Sequence, residues 1–287
     1  TVIGEVLEIE PDSIRVTRPN SLESLPGNSP VGSRMAIMLG GAAARAAEKL
    51  KHKIITIAAH QLQCDGSTLR YQGGTTYAAD GRSFSWDDVV ELAHRQAHGL
   101  PDGMDPGLAS FDIMQVPTGG ALPKDDKVQM YPCYSFEFHL VLVAFDPVIG
   151  KPEIHAYTIG HDCGTVINPA IVSGMTYGGI AHGIGAALLE EFAYDESGQL
   201  MTQSFLDYLM PSSHEVPDIQ LVKHCTPSPH TVFGQKGSGE SGYLGAPAAI
   251  SSAINHAVSG LDIHFTSLPI RMSAISDAIA IANRSDK

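Results

Sequence analysis

The chain has 287 residues, 43% of them apolar and 17% charged, and its mean hydropathy lies near zero. That is a soluble globular composition, in a chain long enough to bury a core without disulfide staples. The net charge of −13 argues against a nucleic-acid-binding face. No run is long and apolar enough for a membrane span, so none is expected. Cys64, Cys133, Cys163 and Cys225 contain no C-x-x-C pair to hold zinc or an iron–sulfur cluster. Isolated buried thiols are the plain reading, even within the ligand-like His161-Asp162-Cys163, and they suit a reducing, cytoplasmic compartment. The chain opens on Thr1 and not Met, which reads as a processed chain or one beginning inside a larger unit.

In chain order, the alternating "SIRVTR" predicts a strand, and "NSLESLPGNSPVGS" a loop. "RMAIMLGGAAARAAEKL" predicts a helix with Ser33 near its start, and "HKIITIAAHQLQC" a second helix. A hairpin with a Gly-Gly turn fits "TLRYQGGTTYAADGRSFS", and an amphipathic helix capped by Ser85 follows it. The stretch from about 100 to 130 is rich in Pro and Gly, as expected of a long surface segment. "YSFEFHLVLVAFDP" and "KPEIHAYTIGHDCG" form the strongest strand pair, joined around "DPVIGK". Then come a glycine-rich helix, "IVSGMTYGGIAHGIGAALLEE", and a hairpin turning at Asp195 to Gly198. "APAAISSAINHAV" and "SAISDAIAIANR" are the last two helices. The whole predicts an α+β fold with a mixed or antiparallel sheet and packed helices, divided into 1–130 and 131–287.

The stretch "GQKGSGESGYLGAPAA" contains G-x-G-x-x-G over Gly237 to Gly242, the form of a dinucleotide-binding fingerprint. That motif needs an apolar strand running into its first glycine, and "HCTPSPHTVFGQK" supplies two prolines instead. The alternative reading centres on Glu240. Glycines at 234, 237, 239, 242 and 245 clear its surroundings, and a partly desolvated carboxylate there suits a general base. A cap for the following helix is the bland reading of the same residue.

Three segments, "VGSRMAIMLGGAA", "GHDCGTVINPAIVSGMTYGGIAHGIGAALLEE" and "FGQKGSGESGYLGAPAA", resemble the molybdenum-binding large subunit of the xanthine oxidase/aldehyde oxidase family, the molybdenum hydroxylases. The resemblance covers most of the chain, from Glu5 to the final helices. It implies Glu240 as the base beside molybdenum, with Lys236, Gly237, Ser238 and Gly239 along the cofactor. Gly32, Ser33, Arg34 and Met35 would hold its phosphate or nucleotide end at a helix N-terminus, unless they begin a plain surface helix. Asp162 and Asn168 would contact the pterin or its nucleotide, or else form an Asx-type turn. His182 stands where the family usually places glutamine, either near the metal's oxygen ligand or simply packed.

Family large subunits run to several hundred residues more, so the resemblance implies about half of a cofactor cradle. Protein ligands to the metal are not expected. The implied cofactor is molybdenum–molybdopterin cytosine dinucleotide, shared with a partner that carries the other half of the molybdopterin subunit. Iron–sulfur (2Fe-2S) and FAD groups would belong to further subunits. The implied reaction hydroxylates an N-heteroaromatic or aldehyde-type carbon of a small molecule, with water as oxygen source. A non-catalytic scaffold subunit is the other class of reading.

Overall fold

The computed structural model describes residues 1–115 and 131–285, apart from Pro19, Glu23, Leu25, Pro26, Asn28 and Pro147. Residues 116–130 of the expected surface segment thus lie outside the described residues. Two compact units form: one comprises 1–132 with 230–232, the other 133–229 with 233–287.

The first unit starts with α1 (Val2–Leu7), and residues 14–18 continue without strand structure, so "SIRVTR" is not a strand. Its alternation has no partner strand to pair with, and period 2 alone does not make a ladder. Helix α2 (Met35–Leu62) is continuous across what reads as two helices. Ile54, Ile57, Ala58 and Leu62 are buried on it, so helical packing overrides the strand preference of "KIITI". The hairpin β1 (Arg70–Gln72) and β2 (Thr75–Tyr77) turns on Gly73 and Gly74, both at positive φ, and β3 (Ser83–Phe84) pairs with β2. Such a turn needs two left-handed residues, which glycine supplies without steric cost. Helix α3 (Trp86–Arg95) opens with a full capping box between Ser85 and Asp88. Ile54, Ile57, Val89, Leu92, Ala93 and Leu100 make the core of this unit.

The second unit is built on β4 (Phe136–Phe145), β5 (Pro152–Asp162), α4 (Pro169–Leu188) and β6 (Ile219–His224). β4 pairs antiparallel with β5, and β6 pairs parallel with β5, giving a mixed sheet. A β–α–β crossover through α4 therefore exists. It ends at His224, and 225–233 separate it from Gly234, so no strand runs into the G-x-G-x-x-G motif. The hairpin at Asp195 is a tight turn closed by one bridge, Tyr194 to Leu200. Helices α5 (Ala246–Ala257) and α6 (Met272–Ser285) complete the unit, with Tyr157, Ile159, Ile180, Ile184, Ile250 and Ile275 central to its core.

Strand β4 presents its faces in an unusual way. Phe136, Phe138, Leu140 and Leu142 are 61–68% exposed, while Glu137, His139, Val141 and Val143 face inward. A pair of polar groups thus enters an otherwise apolar interior, and each must find partners there.

Candidate functional site

Glu240 lies within the turn 239–245, which leads into α5. Gly239 and Glu240 are exposed, and the chain dives inward at Ser241 and Gly242, both buried. Helix α5 begins only at Ala246, with Gly245 at its N-cap.

The turn is held on one side by β4 and β5. Glu137 and His161 are direct cross-strand partners, so their side chains emerge on the same inner face. Glu137 Oε1 accepts the Gly242 N–H at 2.8 Å, and His161 Nε2 meets Ser241 Oγ at 2.8 Å. His139 Nε2 lies 3.2 Å from Glu137 Oε2, and its Nδ1 lies 2.7 Å from the Tyr157 hydroxyl. The carboxylate only accepts, so His139 Nε2 carries a proton and donates to it. Burial pushes the Glu137 carboxyl up, but hydrogen bonds from His139 and the Gly242 amide outweigh it and leave it below the ordinary carboxylate range. Burial lowers His161, which favours the neutral imidazole.

Helix α4 presses on the other side of the turn. A Cβ on Gly179 would lie 2.1 Å from the Ser241 carbonyl oxygen, and one on Gly183 would lie 2.5 Å from Ala246 Cβ. Gly242, at φ +83°, would bring a Cβ to 2.3 Å from the Thr176 carbonyl oxygen. A Cβ on Gly245 would strike the His139 ring, and one on Gly234 would strike Pro227. These glycines admit the turn to the interior. Clearance around Glu240 is not what 234, 242 and 245 provide.

Asp162 and Lys236 occupy a second buried knot. Lys236 Nζ donates to Thr226 Oγ1 at 2.6 Å and to Asp162 Oδ2 at 3.3 Å. Asp162 also accepts from the Gly164 and Thr226 amides at 2.8 and 3.1 Å and from the Thr226 hydroxyl. Burial raises its carboxyl, yet these donors take it well below the usual range. Lys236 Nζ lies 5.0 Å from the Phe136 ring centroid, and its backbone N–H bonds the Cys163 carbonyl at 2.7 Å. The two residues thus satisfy one another. Together they fasten the segment leading to Gly237 onto the end of β5.

Asn168 caps α4, its side chain accepting the Ile171 N–H at 3.1 Å. His182 is exposed and stacks on Tyr243 at 4.3 Å between ring centroids. Gly237 and Ser238 are half-buried, and Ser238 Oγ lies 3.2 Å from Ser241 Oγ. Cys163 is buried, and burial pushes its thiol up; Cys225 is exposed, so isolation by burial does not describe every cysteine. Gly32, Ser33, Arg34 and Met35 belong to the first unit, apart from the rest. Gly32 and Ser33 are both left-handed, at φ +68° and +57°, and Arg34 Nε donates to the Val31 carbonyl at 2.6 Å. Arg34 is itself the N-cap residue of α2, and its own side chain makes no capping bond there.

Glu137 and His139 went unsingled in the sequence, and His161 stood out only within the ligand-like His161-Asp162-Cys163. Strand alternation suggests burying the Phe136–Leu142 set, and the structure buries the opposite face. The one available signal was a Glu and a His at alternate positions of an apolar strand.

Gly174 and Gly178 of α4 are exposed, and a Cβ on either would meet nothing within 4 Å. An open glycine face, a stacked His182–Tyr243 pair and an accessible carboxylate fit a bulky ring cofactor that brings its own metal.

Residues 1–217 match the molybdopterin cofactor-binding domain family. The nicotine 6-hydroxylase large subunit of Paenarthrobacter nicotinovorans is 34% identical over 90% of this chain and 30% of its own length. The carbon monoxide dehydrogenase large chain of Afipia carboxidovorans is 29% identical over 93% of this chain and 31% of its own. Among solved structures, quinoline 2-oxidoreductase from Pseudomonas putida 86 aligns with a TM-score of 0.83 at 30% identity, covering 97% of this chain and 34% of that one. A Cu,Mo-CO dehydrogenase aligns at 0.85 and 26% identity, covering 98% and 34%. The chain thus spans about a third of the length of the relatives it matches.

Proposed function

The chain belongs to the molybdopterin cofactor-binding domain family, among the molybdenum hydroxylases, and we propose that it supplies the general base and one wall of the cofactor cradle of such an enzyme. The carrying observation is Glu240: an accessible carboxylate on a turn whose next two residues are tethered to a buried sheet. The cofactor, when bound, supplies Lewis acidity and an electron sink. Glu240 takes the proton from a water-derived oxygen as that oxygen bonds an electron-poor carbon, while the C–H bond broken at that carbon gives its electron pair to the sink and its proton in the end to solvent. Ser238 and Gly239 pass beside the cofactor, and the open glycines of α4 leave it room. The Asp162–Lys236 pair acts at one remove, by fixing the approach to Gly237.

The names of the nicotine and quinoline enzymes favour an N-heteroaromatic substrate over an aldehyde. The cofactor is read as the cytosine dinucleotide form, completed by the remaining part of the molybdopterin subunit, with iron–sulfur and flavin subunits carrying electrons away. The bare apolar face of β4 supports a chain that works within an assembly.

The test is Glu240→Gln in the assembled enzyme. Turnover should fall about 10²–10⁴-fold while molybdenum content stays at the wild-type level. Full turnover in that variant would favour the scaffold reading instead.

A further inference from the structure

We infer that Glu137 and His161 are positioning residues that aim the Glu240 turn, an assignment that rests on the reading of Glu240 as the base. Three observations converge. The Gly242 amide, two residues past Glu240, ends on Glu137 Oε1 at 2.8 Å. The Ser241 hydroxyl, one residue past it, ends on His161 Nε2 at 2.8 Å. Both partners stand on a single cross-strand pair, in the ladder between β4 and β5.

The side chains doing the holding are themselves fixed. His161 is 2% and His139 5% exposed, while Glu137, at 15%, is braced by His139, which is braced by Tyr157. Across the turn, the Gly179 and Gly242 contacts leave no space for it to swing towards α4. A base must lie within hydrogen-bond reach of the proton it removes, and about an ångström of misplacement costs on the order of 10²-fold in rate. Glu240 itself is exposed, and these tethers fix the backbone that carries it.

The experiment measures amide exchange at Gly242, together with kcat, KM and molybdenum content, in the assembled enzyme carrying Glu137→Ala or Glu137→Gln. Alanine removes the acceptor; glutamine keeps an acceptor oxygen without the charge. In Glu137→Ala, exchange at Gly242 should quicken about 10- to 100-fold, as expected for losing a hydrogen bond to a charged group. In the same variant kcat should drop at least about 10-fold, with KM and molybdenum content held. Glutamine should recover most of both losses. Unchanged exchange, wild-type kcat despite faster exchange, or glutamine no better than alanine would each overturn the assignment.

If Glu137→Ala does not assemble, Ser241→Ala cuts the His161 tether with a smaller change. It must then show faster exchange at Gly242 and lower kcat, or the assignment falls. Failure of the base reading is separable: full turnover in Glu240→Gln would remove that reading, while the exchange result would still report the tether.

Discussion

At the scale of single residues, the glycines around Glu240 divide by what they touch. Gly242 adopts φ +83° and would put a Cβ within 2.3 Å of the Thr176 carbonyl oxygen. Neither condition can be relieved by rotating a side chain, because the obstacle is backbone. Gly242→Ala should therefore cost at least about 2 kcal/mol, read as a lower denaturation midpoint. A loss below about 0.5 kcal/mol would mean the turn shifts freely, contrary to its tethering. The candidate site was legible in the sequence only where chemistry and spacing coincide, at Glu240. Asp162, Lys236 and Asn168 were noticed for their motif. The structure engages Asp162 and Lys236 in a long-range ion pair that no spacing displays, and gives Asp162 and Asn168 the local Asx-type bonds that the sequence offers, to the Gly164 and Ile171 amides. Glu137, and the tie of His161 to the turn, stayed hidden because the two lie 105 and 80 residues from their turn partners.

Elements with a local cause were readable. Ser85 and Asp88 announce α3, two glycines announce the β1–β2 turn, and the long apolar runs announce β4 and β5. β6 was missed because six mostly exposed residues gain strand structure only by pairing with β5. Helix α4 shows the same divide within one element. Glycine in a helix interior usually costs about 0.5–1 kcal/mol relative to alanine, so Gly→Ala normally stabilises. Gly178→Ala should follow that rule, since nothing lies within 4 Å of its Cβ position. Gly179→Ala, one residue on, should reverse it, because the added methyl would fall 2.1 Å from the Ser241 carbonyl oxygen. Thermal melts of the two variants should move in opposite directions. Equal shifts would show that α4 does not bear on the Glu240 turn.

For the whole molecule, the excess of 31 acidic over 18 basic residues makes pH the informative variable. Falling from pH 7 towards the pI of about 5.3 sheds net negative charge and relieves self-repulsion. Below that the balance reverses, because Asp162 and Glu137 are held as carboxylates by hydrogen bonds that exist only in the folded chain. A carboxyl depressed in the folded state stabilises fully above its unfolded value, about 3.9 for Asp, and loses that contribution as pH falls towards the folded value. Asp162→Asn removes the titrating partner and leaves the buried Lys236 charge without its counter-ion, a loss of about 3 kcal/mol near neutrality. The gap between wild type and variant should be constant from pH 7 to about 5, then narrow below about 4, where Asp162 of the unfolded wild-type chain takes up a proton while the folded carboxylate still resists it. Urea unfolding across that range measures it directly. A gap as wide at pH 3 as at pH 7 would mean that Asp162 contributes shape and hydrogen bonding alone, and that its charge does not hold the approach to Gly237.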